Sequence, residues 1–447
     1  MLCLYTIAFS FVVASPPTHS PRRHAAPKLW GGDLADEAIV AVKAVQRAMR
    51  LCQGLACDME AVESESTGKE MDACDTTAGV SFIKEGDSTP VTAADFAIQG
   101  MVSQELRKAF PNDRFMGEED ASDLRDDEAL RSLAMRLCGS FGDPDVCDTE
   151  EVAFLSAIDR GLEKPRGQSE RVWVLDPIDG TKGFMTGEGY VIGLALVDGT
   201  GDTLIGVMGV PSEEETPPIM AAVKGCGLRW YSALGDAPIE YDPPKPSWAD
   251  TQDATAPPWL ISPQKMFTEC QPFGPEHAPK VICCGAMIKY FATVAGRGVG
   301  FIQYEESLKS WDHACGLICV QESGGEATDC DGGRVLFPDR QFAVKGGIVC
   351  SSKWASEATK GKLLAAAKRD ATTAVDSLRG GGEGGSNVME QVGEGMMKSF
   401  FSGAPILEIA LAGAVAYSLI SSGQLCLLGE KACSEMGSVI ESAADSM

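Results

Sequence analysis

At 447 residues, the chain is long enough for two or three domains or for one large layered unit. Its composition, 44% hydrophobic and 23% charged residues, is typical of a chain that is mostly folded. The formal net charge of -26 argues against a nucleic-acid polymer as partner, because binding along a phosphate backbone requires a basic surface. A small anion stays open as a ligand, since bound cations can reverse the field of an acidic pocket.

The first 29 residues are predicted to be a targeting segment. Residues 2–14 form a short apolar stretch, Ala14 offers a small-residue cleavage site, and a stretch rich in serine, proline and arginine follows. A signal peptide followed by a transit-like peptide predicts import into a plastid or entry into the secretory pathway. An unprocessed, disordered N-terminal tail is the alternative.

From Asp36 onward, helical and strand patterns alternate. Apolar residues return every three or four positions in residues 36–55 and again after Pro90, which predicts two amphipathic helices with Asp95 at the start of the second. Short apolar runs predict strands before the acidic "GEED" and "DPID" motifs, a hairpin in "YVIGLALVDGTGDTLIGVMGVP", and a closing strand in "GGIVCSS" before a last helix. The proline-dense stretch from Pro217 to Pro279 is predicted to be rich in loops.

This alternation predicts a layered α/β or α+β fold over residues 30–370. A Gly-rich linker is predicted over residues 371–390, followed by a hydrophobic helical segment over residues 391–447. Within it, residues 404–429 are nearly long enough to span a bilayer, although Glu408 and many small residues lower their hydrophobicity. Membrane association through this segment and a docked helical appendage both stay open.

Cysteine is frequent, with 16 residues, but its spacing is uninformative. There is no Cys-x-x-Cys motif and the chain has only 4 histidines, which argues against a zinc site of familiar spacing. Reduced and partly buried thiols are favoured over redox-active pairs.

The stretch "VWVLDPIDGTKGF" carries the strongest chemical signal. A strand that ends in Asp176 and Asp179 places two carboxylates in one turn, where burial without a partner costs several kcal/mol. Magnesium prefers oxygen ligands, so both side chains and the Ile178 carbonyl could bind two ions. Gly180 and Thr181 could direct backbone N–H groups at a phosphate if a helix begins there. A capped turn without a cation is the alternative for such a motif in isolation.

Four motifs taken together, "VTAADFAIQ", "FMGEED", "WVLDPIDGTKGF" and "SWDHACG", resemble the lithium-sensitive, magnesium-dependent phosphatases of the inositol monophosphatase superfamily. The resemblance covers about residues 35–368, and "DPIDGTKGF" with Lys182 resembles the 3'(2'),5'-bisphosphate nucleotidase branch. It implies an α+β fold of the layered αβαβα, sugar-phosphatase-like type, with a C-terminal helical appendage. It further implies hydrolysis of 3'-phosphoadenosine 5'-phosphate, or of 3'-phosphoadenylyl sulfate, and a place in sulfur metabolism.

The resemblance also implies a set of metal ligands. By motif, Glu118, Asp176 and the Ile178 carbonyl correspond to ligands of one magnesium ion. Asp176, Asp179 and Asp312 correspond to ligands of a second. Two or three Mg²⁺ ions are therefore expected as cofactors.

The catalytic roles follow from the same motifs. Asp95 and Thr181 match the pair that orients and deprotonates the attacking water, and Gly180 and Thr181 match the phosphate-binding backbone. Glu119, the second acid of "GEED", would reach a third ion through water. His313, beside a metal ligand, is read as a packing or supporting residue rather than a catalytic base.

Substrate recognition departs from the family pattern. Nucleotidases of this branch typically carry a Ser-x-x-Lys-Tyr segment and an arginine that hold the second phosphate. This chain retains Lys289 and Tyr290 but has Ala286 at the serine position and Gln303 where the arginine is expected. Lys289 is therefore the candidate substrate ligand, with an ordinary solvated lysine as the alternative.

Two other functions stay open. An inositol phosphate phosphatase would keep the same metals and alter the loops that bind the ring. A non-catalytic phosphonucleotide or redox sensor is the alternative of another class, although it would have no chemical need for the whole acid set. In each case the partner is a small phosphorylated metabolite.

Overall fold

The structure is a computed structural model that describes residues 30, 32–67, 90–164, 167, 170–187, 189–249, 258–261, 272–273, 279–282, 285–305 and 307–379. The chain divides into two units, residues 1–375 and 376–447. The predicted targeting segment, most of the predicted linker and the C-terminal segment with residues 404–429 lie outside the described residues. Among the helices that are described, none is both long and apolar enough to cross a membrane.

The described residues form nine α-helices and thirteen β-strands. The helices are α1 (Ala35–Thr67), α2 (Pro90–Ala109), α3 (Ser122–Asp126), α4 (Glu128–Phe141), α5 (Glu151–Asp159), α6 (Thr181–Thr186), α7 (Met287–Val294), α8 (Ala314–Glu322) and α9 (Glu357–Arg379). The strands are β1 (Arg114–Gly117), β2 (Val172–Asp179), β3 (Val191–Val197), β4 (Thr203–Gly209), β5 (Ile219–Val223), β6 (Gly227–Tyr231), β7 (Leu260–Ile261), β8 (Lys280–Val281), β9 (Gly300–Gln303), β10 (Leu308–Lys309), β11 (Glu326–Thr328), β12 (Gln341–Phe342) and β13 (Ile348–Ser351).

A six-stranded sheet in the order β1-β2-β3-β4-β5-β6 forms the centre of the fold. β1 and β2 are parallel, and the remaining pairs are antiparallel. Alternate residues of β2 enter two different cores: Trp173 and Leu175 pack with α1 and α2, whereas Val172 and Val174 pack with α7 and α8. Because helices cover both faces, β2 reads as a continuous apolar run rather than an alternating one.

A second, three-stranded antiparallel sheet in the order β11-β13-β9 forms a further layer. Its outer face packs against α9, where Leu363 and Ala366 join Val349 and Ile302 in a third apolar cluster. The layers therefore follow the order helices, six-stranded sheet, helices, three-stranded sheet, helix. The predicted α+β class with an αβαβα arrangement is confirmed.

Two predictions of local structure need correction. The first part of the stretch from Pro217 to Pro279 is not a loop, since β5 and β6 extend the central sheet there. Their few residues lie between prolines and glycines, so no periodic pattern long enough to recognise precedes the hairpin. Residues 371–379, predicted as the start of the linker, continue α9.

Candidate active site and metal centre

The end of β2 brings two acids to one edge of the sheet. Residues three apart on a regular strand point to opposite faces. Asp176 lies opposite Gly193 and Asp179 opposite Val191, so the pairing with β3 contains a bulge with one extra residue between the two aspartates. A bulge reorients the strand locally. This bulge includes Ile178, and it turns the carboxylates of Asp176 and Asp179 toward the same site.

Two other elements deliver acids to this edge. Because β1 and β2 are parallel, their carboxyl ends coincide, and Glu118 follows the last residue of β1, Gly117, which lies beside Leu175. Asp312 precedes α8 on the far side of the sheet. Carboxylate oxygens of Asp176, Asp179 and Asp312 lie within 4.8 Å of one another.

The electrostatics of this cluster fit a divalent cation. Burial, and then the charges of Glu118 and Asp179, raise the pKa of Asp176 well above its usual value. Burial followed by the Asp179 and Glu118 charges raises the pKa of Asp312 to about 8. The Oδ1 atom of Asp176 is buried without a hydrogen-bond partner. Such an orphaned oxygen among repelling carboxylates matches the ligand preference of Mg²⁺.

Asp179 is held by the beginning of α7. The backbone N–H of Ala286 donates to its Oδ1 at 2.9 Å, and that of Met287 donates to its Oδ2 at 2.5 Å. Burial raises the pKa of Asp179 to about 6, against these two hydrogen bonds and the Lys289 charge, which lower it. A Cβ atom at Gly285 would lie 2.4 Å from Asp179 Oδ1, so only glycine permits this approach.

Three further acids line the cluster. Much of the Glu118 side chain is exposed, but partial burial of its carboxylate raises its pKa. Burial and the Glu118 charge raise the pKa of Glu119 to about 7. Asp95 is buried on α2, and burial with the charges of Glu119 and Glu118 raises its pKa well above the usual value. All three therefore lie within electrostatic reach of one another.

The predicted phosphate-binding turn follows directly. Gly180 has a left-handed conformation with φ of 90°, which favours glycine, and α6 begins at the exposed Thr181. The first N–H groups of a helix have no partner within the helix and can bind an anion. The structure thus places the predicted turn at the end of β2, beside the acids.

Comparison with known proteins agrees with this geometry. The sequence profile of the inositol monophosphatase family matches residues 34–371. The chain belongs to the inositol monophosphatase family. A relative from Arabidopsis thaliana, named as a mitochondrial 3'(2'),5'-bisphosphate nucleotidase, is 31% identical over 393 residues, which cover 77% of this chain and 92% of that protein.

A second nucleotidase and a solved inositol monophosphatase structure are also similar to this chain. The 3'(2'),5'-bisphosphate nucleotidase of Oryza sativa is 29% identical over 367 residues, covering 72% of this chain and 92% of the relative. Inositol monophosphatase II from Staphylococcus aureus has a TM-score of 0.46 at 16% identity, covering 77% of this chain and 99% of that chain. The sequence-based recognition of a phosphatase in the nucleotidase branch of the family is confirmed.

Lys289, the candidate ligand of the second phosphate, and Gln303, at the position where an arginine is expected, are both buried. Lys289 is only 2% exposed, so the alternative of a solvated lysine is wrong. Its Nζ lies 3.4 Å from the carbonyl oxygen of Gly285 and 5.8 Å from the centre of the Phe301 ring. Gln303 is also buried; its Nε2 donates to Glu305 at 2.8 Å, while its Oε1 has no hydrogen-bond partner.

His313 occupies the supporting position that its place beside Asp312 predicts. It is 1% exposed, and its Nδ1 lies 3.0 Å from the hydroxyl of Tyr290 on α7. The pair joins α7, which holds Asp179, to α8, which follows Asp312. This contact is consistent with a packing or supporting role.

Sequence reasoning missed two cations beside the site, Lys309 and Arg340. Both lower the pKa of Glu118 through their charge, and both lie over the ring of Trp311. Lys309 was within reach of prediction because it precedes the "SWDH" motif by one residue. Arg340 lies in a loop without a recognisable motif.

Proposed function

We propose that the chain hydrolyses 3'-phosphoadenosine 5'-phosphate to AMP and inorganic phosphate, with 3'-phosphoadenylyl sulfate as a second candidate substrate and a role in sulfur metabolism. The observation that carries the proposal is the meeting of Asp176, Asp179 and Asp312 within 4.8 Å, with one buried oxygen left without a partner. The names of the relatives support the nucleotide as substrate.

The cofactor in this proposal is Mg²⁺, in two or three ions. Glu118, Asp176 and the Ile178 carbonyl would hold one ion, Asp176, Asp179 and Asp312 a second, and Glu119 would reach a third through water. Bound magnesium neutralises phosphoryl oxygens and lowers the pKa of water. Because the Glu118 charge raises the pKa of Asp176 and Asp176 lies within the aspartate cluster, Asp176 is the residue that connects the two sets.

The remaining steps fall to side chains and backbone of the chain itself. In this proposal Thr181 accepts a proton from the attacking water and passes its own hydroxyl proton to Asp95. Burial raises the pKa of Asp95, so its ionised carboxylate is a stronger base than an exposed one and is suited to accept this proton. The N–H groups of Gly180 and Thr181 hold the phosphoryl oxygens in place while the water oxygen forms its bond to phosphorus and the bond from phosphorus to the ribose oxygen breaks. The ribose oxygen leaves with a proton taken from a second water molecule.

Lys289 is the proposed contact for the second phosphate. It lies on α7, four residues after the Gly285 backbone that borders Asp179. The Lys289 ammonium could form a charge-assisted hydrogen bond with a phosphate there, whereas Gln303 cannot supply the charge of an arginine. The second phosphate is therefore bound with fewer charged contacts than the family pattern provides.

Phosphate release from a substrate panel tests the proposal. The panel contains 3'-phosphoadenosine 5'-phosphate, 3'-phosphoadenylyl sulfate, AMP and inositol phosphates, each with saturating magnesium. The highest kcat/KM is expected for the bisphosphate nucleotide, with inhibition by millimolar lithium. A higher value for an inositol phosphate would favour the inositol phosphatase alternative, and absence of release from every compound would favour the sensor. Undiminished turnover in excess chelator would exclude the metal mechanism.

We also propose that residues 1–29 direct the protein to a plastid or into the secretory pathway. The apolar stretch of residues 2–14 and the basic, acid-free stretch after it support this assignment. A fluorescent protein fused after residue 60 should be delivered to one of these compartments. The same fusion without residues 1–29 should remain in the cytosol, and an unchanged distribution would refute the assignment.

A further inference from the structure

Arg340 makes an unusual set of contacts between two parts of the site. Its Nη1 donates to the carbonyl oxygen of Gly117 at 2.7 Å and also to that of Gly161. Its Nη2 donates to the carbonyl oxygen of Glu118 at 3.3 Å. Its guanidinium carbon lies 4.7 Å from the centre of the Trp311 ring. The Arg340 side chain thus contacts both the backbone of Glu118 and Trp311, the residue before Asp312.

The backbone around Arg340 reinforces the second of these links. The N–H of Ser310 donates to the carbonyl oxygen of Arg340 at 3.0 Å, and the Ser310 hydroxyl donates to the carbonyl oxygen of Asp339. Ser310 is fully buried. The segment that leads into Asp312 is therefore fixed to residue 340 by hydrogen bonds, while the side chain of residue 340 is fixed to the end of β1.

We infer that Arg340 is a positioning residue for the metal centre: it holds the Glu118 backbone in place relative to Asp312, so that each carboxylate reaches its own ion of the proposed pair. It acts through backbone carbonyls and an aromatic ring. The inference rests on the proposed function only in taking Glu118 and Asp312 as metal ligands.

The contacts require an arginine. A guanidinium carries five N–H donors in a rigid plane, which lets it serve three carbonyl groups while its face lies on an indole ring. A lysine keeps the charge and the aliphatic stem but places its donors on one freely rotating atom. Arg340→Lys therefore separates positioning from simple charge compensation of the acids.

Arg160 provides a matched control at the opposite end of the same strand. Its Nη1 donates to the carbonyl oxygen of Ser103 at 2.7 Å, and its Nη2 to that of Asp113 at 3.3 Å. Its guanidinium carbon lies 5.6 Å from the centre of the Phe115 ring. Arg160 braces the beginning of β1 as Arg340 braces its end, but no predicted metal ligand is among the residues that it contacts.

Binding of Mn²⁺ alone to the metal-free protein tests the inference, with free Mn²⁺ followed by electron paramagnetic resonance. Arg340→Lys and Arg340→Met should weaken Mn²⁺ binding about 10-fold or more, as loss of groups that orient metal ligands generally does. Arg160→Lys should leave it within about twofold while lowering the melting temperature. Equal Mn²⁺ affinity in Arg340→Lys and wild type, or an equal loss in Arg160→Lys, would overturn the inference.

A double-variant cycle examines the route through Glu118. Glu118→Gln should weaken Mn²⁺ binding by itself, and adding Arg340→Lys should weaken it little further, because both changes remove the same ligand from its place. Additive losses would overturn the inference. Should Arg340→Met fail to fold, Arg340→Lys and this cycle decide the question. These binding experiments contain no substrate. Their results can therefore be interpreted even if the nucleotidase proposal is wrong.

Discussion

At the scale of the residue, Asp179 and Asp312 are held differently, and the difference predicts opposite effects of one substitution on stability. Both oxygens of Asp179 accept backbone N–H groups. An asparagine there turns an NH₂ group against one N–H, at a cost of about 1–3 kcal/mol. Asp312 is repelled by Asp179 and Glu118, so Asp312→Asn removes a charge whose ionised form is disfavoured.

We therefore expect Asp179→Asn to lower the melting temperature of the protein in chelator and Asp312→Asn to raise it. Both should nearly abolish phosphate release at saturating magnesium, because each removes a charged ligand of the proposed magnesium site. Thermal melts in chelator and initial rates on 3'-phosphoadenosine 5'-phosphate check the two effects separately. Most of the wild-type rate surviving in either variant would contradict the ligand assignment.

A second prediction at this scale concerns Lys289, which is buried near Asp179 and could serve either the acid cluster or the substrate. A charge-assisted hydrogen bond to phosphate is worth about 1.5–3 kcal/mol, so Lys289→Ala should lower kcat/KM on the bisphosphate about tenfold or more. The loss on a related monophosphate should be much smaller.

Gln303→Arg is the complementary variant and should raise kcat/KM on the bisphosphate, since it supplies a planar, charged donor group for the second phosphate. Equal losses on both substrates in Lys289→Ala would mean that the ammonium only compensates Asp179. In that case the inositol phosphate alternative gains support.

At the scale of the element, the first backbone N–H groups of α7 position Asp179, a proposed metal ligand, and α7 carries Lys289 one turn later. Gly285→Ala tests this arrangement, because the new Cβ would lie 2.4 Å from Asp179 Oδ1 at a φ of +89°. We expect weaker Mg²⁺ activation and a lower kcat. Titration of the rate with magnesium gives both quantities.

Gly225→Ala is the control for backbone strain alone. Gly225 has a φ of +72° with nothing within 4 Å of an added Cβ, and its N–H donates to Glu322 at the far end of α8 from Asp312. Gly225→Ala should lower the free energy of unfolding by about 1 kcal/mol, which is the cost of a left-handed φ alone, without a change in magnesium activation. A similar loss of activation in both variants would mean that Asp179 is not displaced.

The strands and helices also show which features of the structure could be predicted from the sequence. β2 and its two aspartates were predictable because an apolar run, a proline and a Gly turn follow one another without interruption. β5 and β6 were not, since five residues of IMAAV or GLRWY carry too few repeats to define a period. The N–H groups of Ala286 and Met287 and the side chain of Arg340 are equally invisible, because any residue has a backbone N–H and the partners of Arg340 are distant carbonyls.

At the scale of the whole molecule, the acid cluster predicts how stability depends on pH. Folding raises the pKa of Asp179 to about 6, of Glu119 to about 7 and of Asp312 to about 8. The folded state therefore binds more protons than the unfolded state between the ordinary carboxylate range and about pH 8. Stability from these groups is complete at low pH and is lost as the pH rises through these values.

In chelator, the melting temperature should therefore fall as the pH rises from about 4 to about 8. Saturating magnesium should flatten the fall, since it binds the ionised form of the same carboxylates. Asp312→Asn should also show a shallower fall. A melting temperature that is constant or rising over this range in chelator, or one that magnesium leaves unchanged, would contradict the electrostatic description.

The distribution of the metal ligands along the chain also sets an order of events during synthesis. Glu118 leaves the ribosome first, Asp176 and Asp179 follow with β2, and Asp312 emerges only after the whole central sheet and α7. A nascent chain that ends between Tyr231 and Asp312 has every strand of that sheet but an incomplete set of acids. The ligand set that includes Asp312 can accordingly be completed only after every strand of the central sheet has been synthesised, whereas the set of Glu118, Asp176 and the Ile178 carbonyl is already present in the chain by the end of β2.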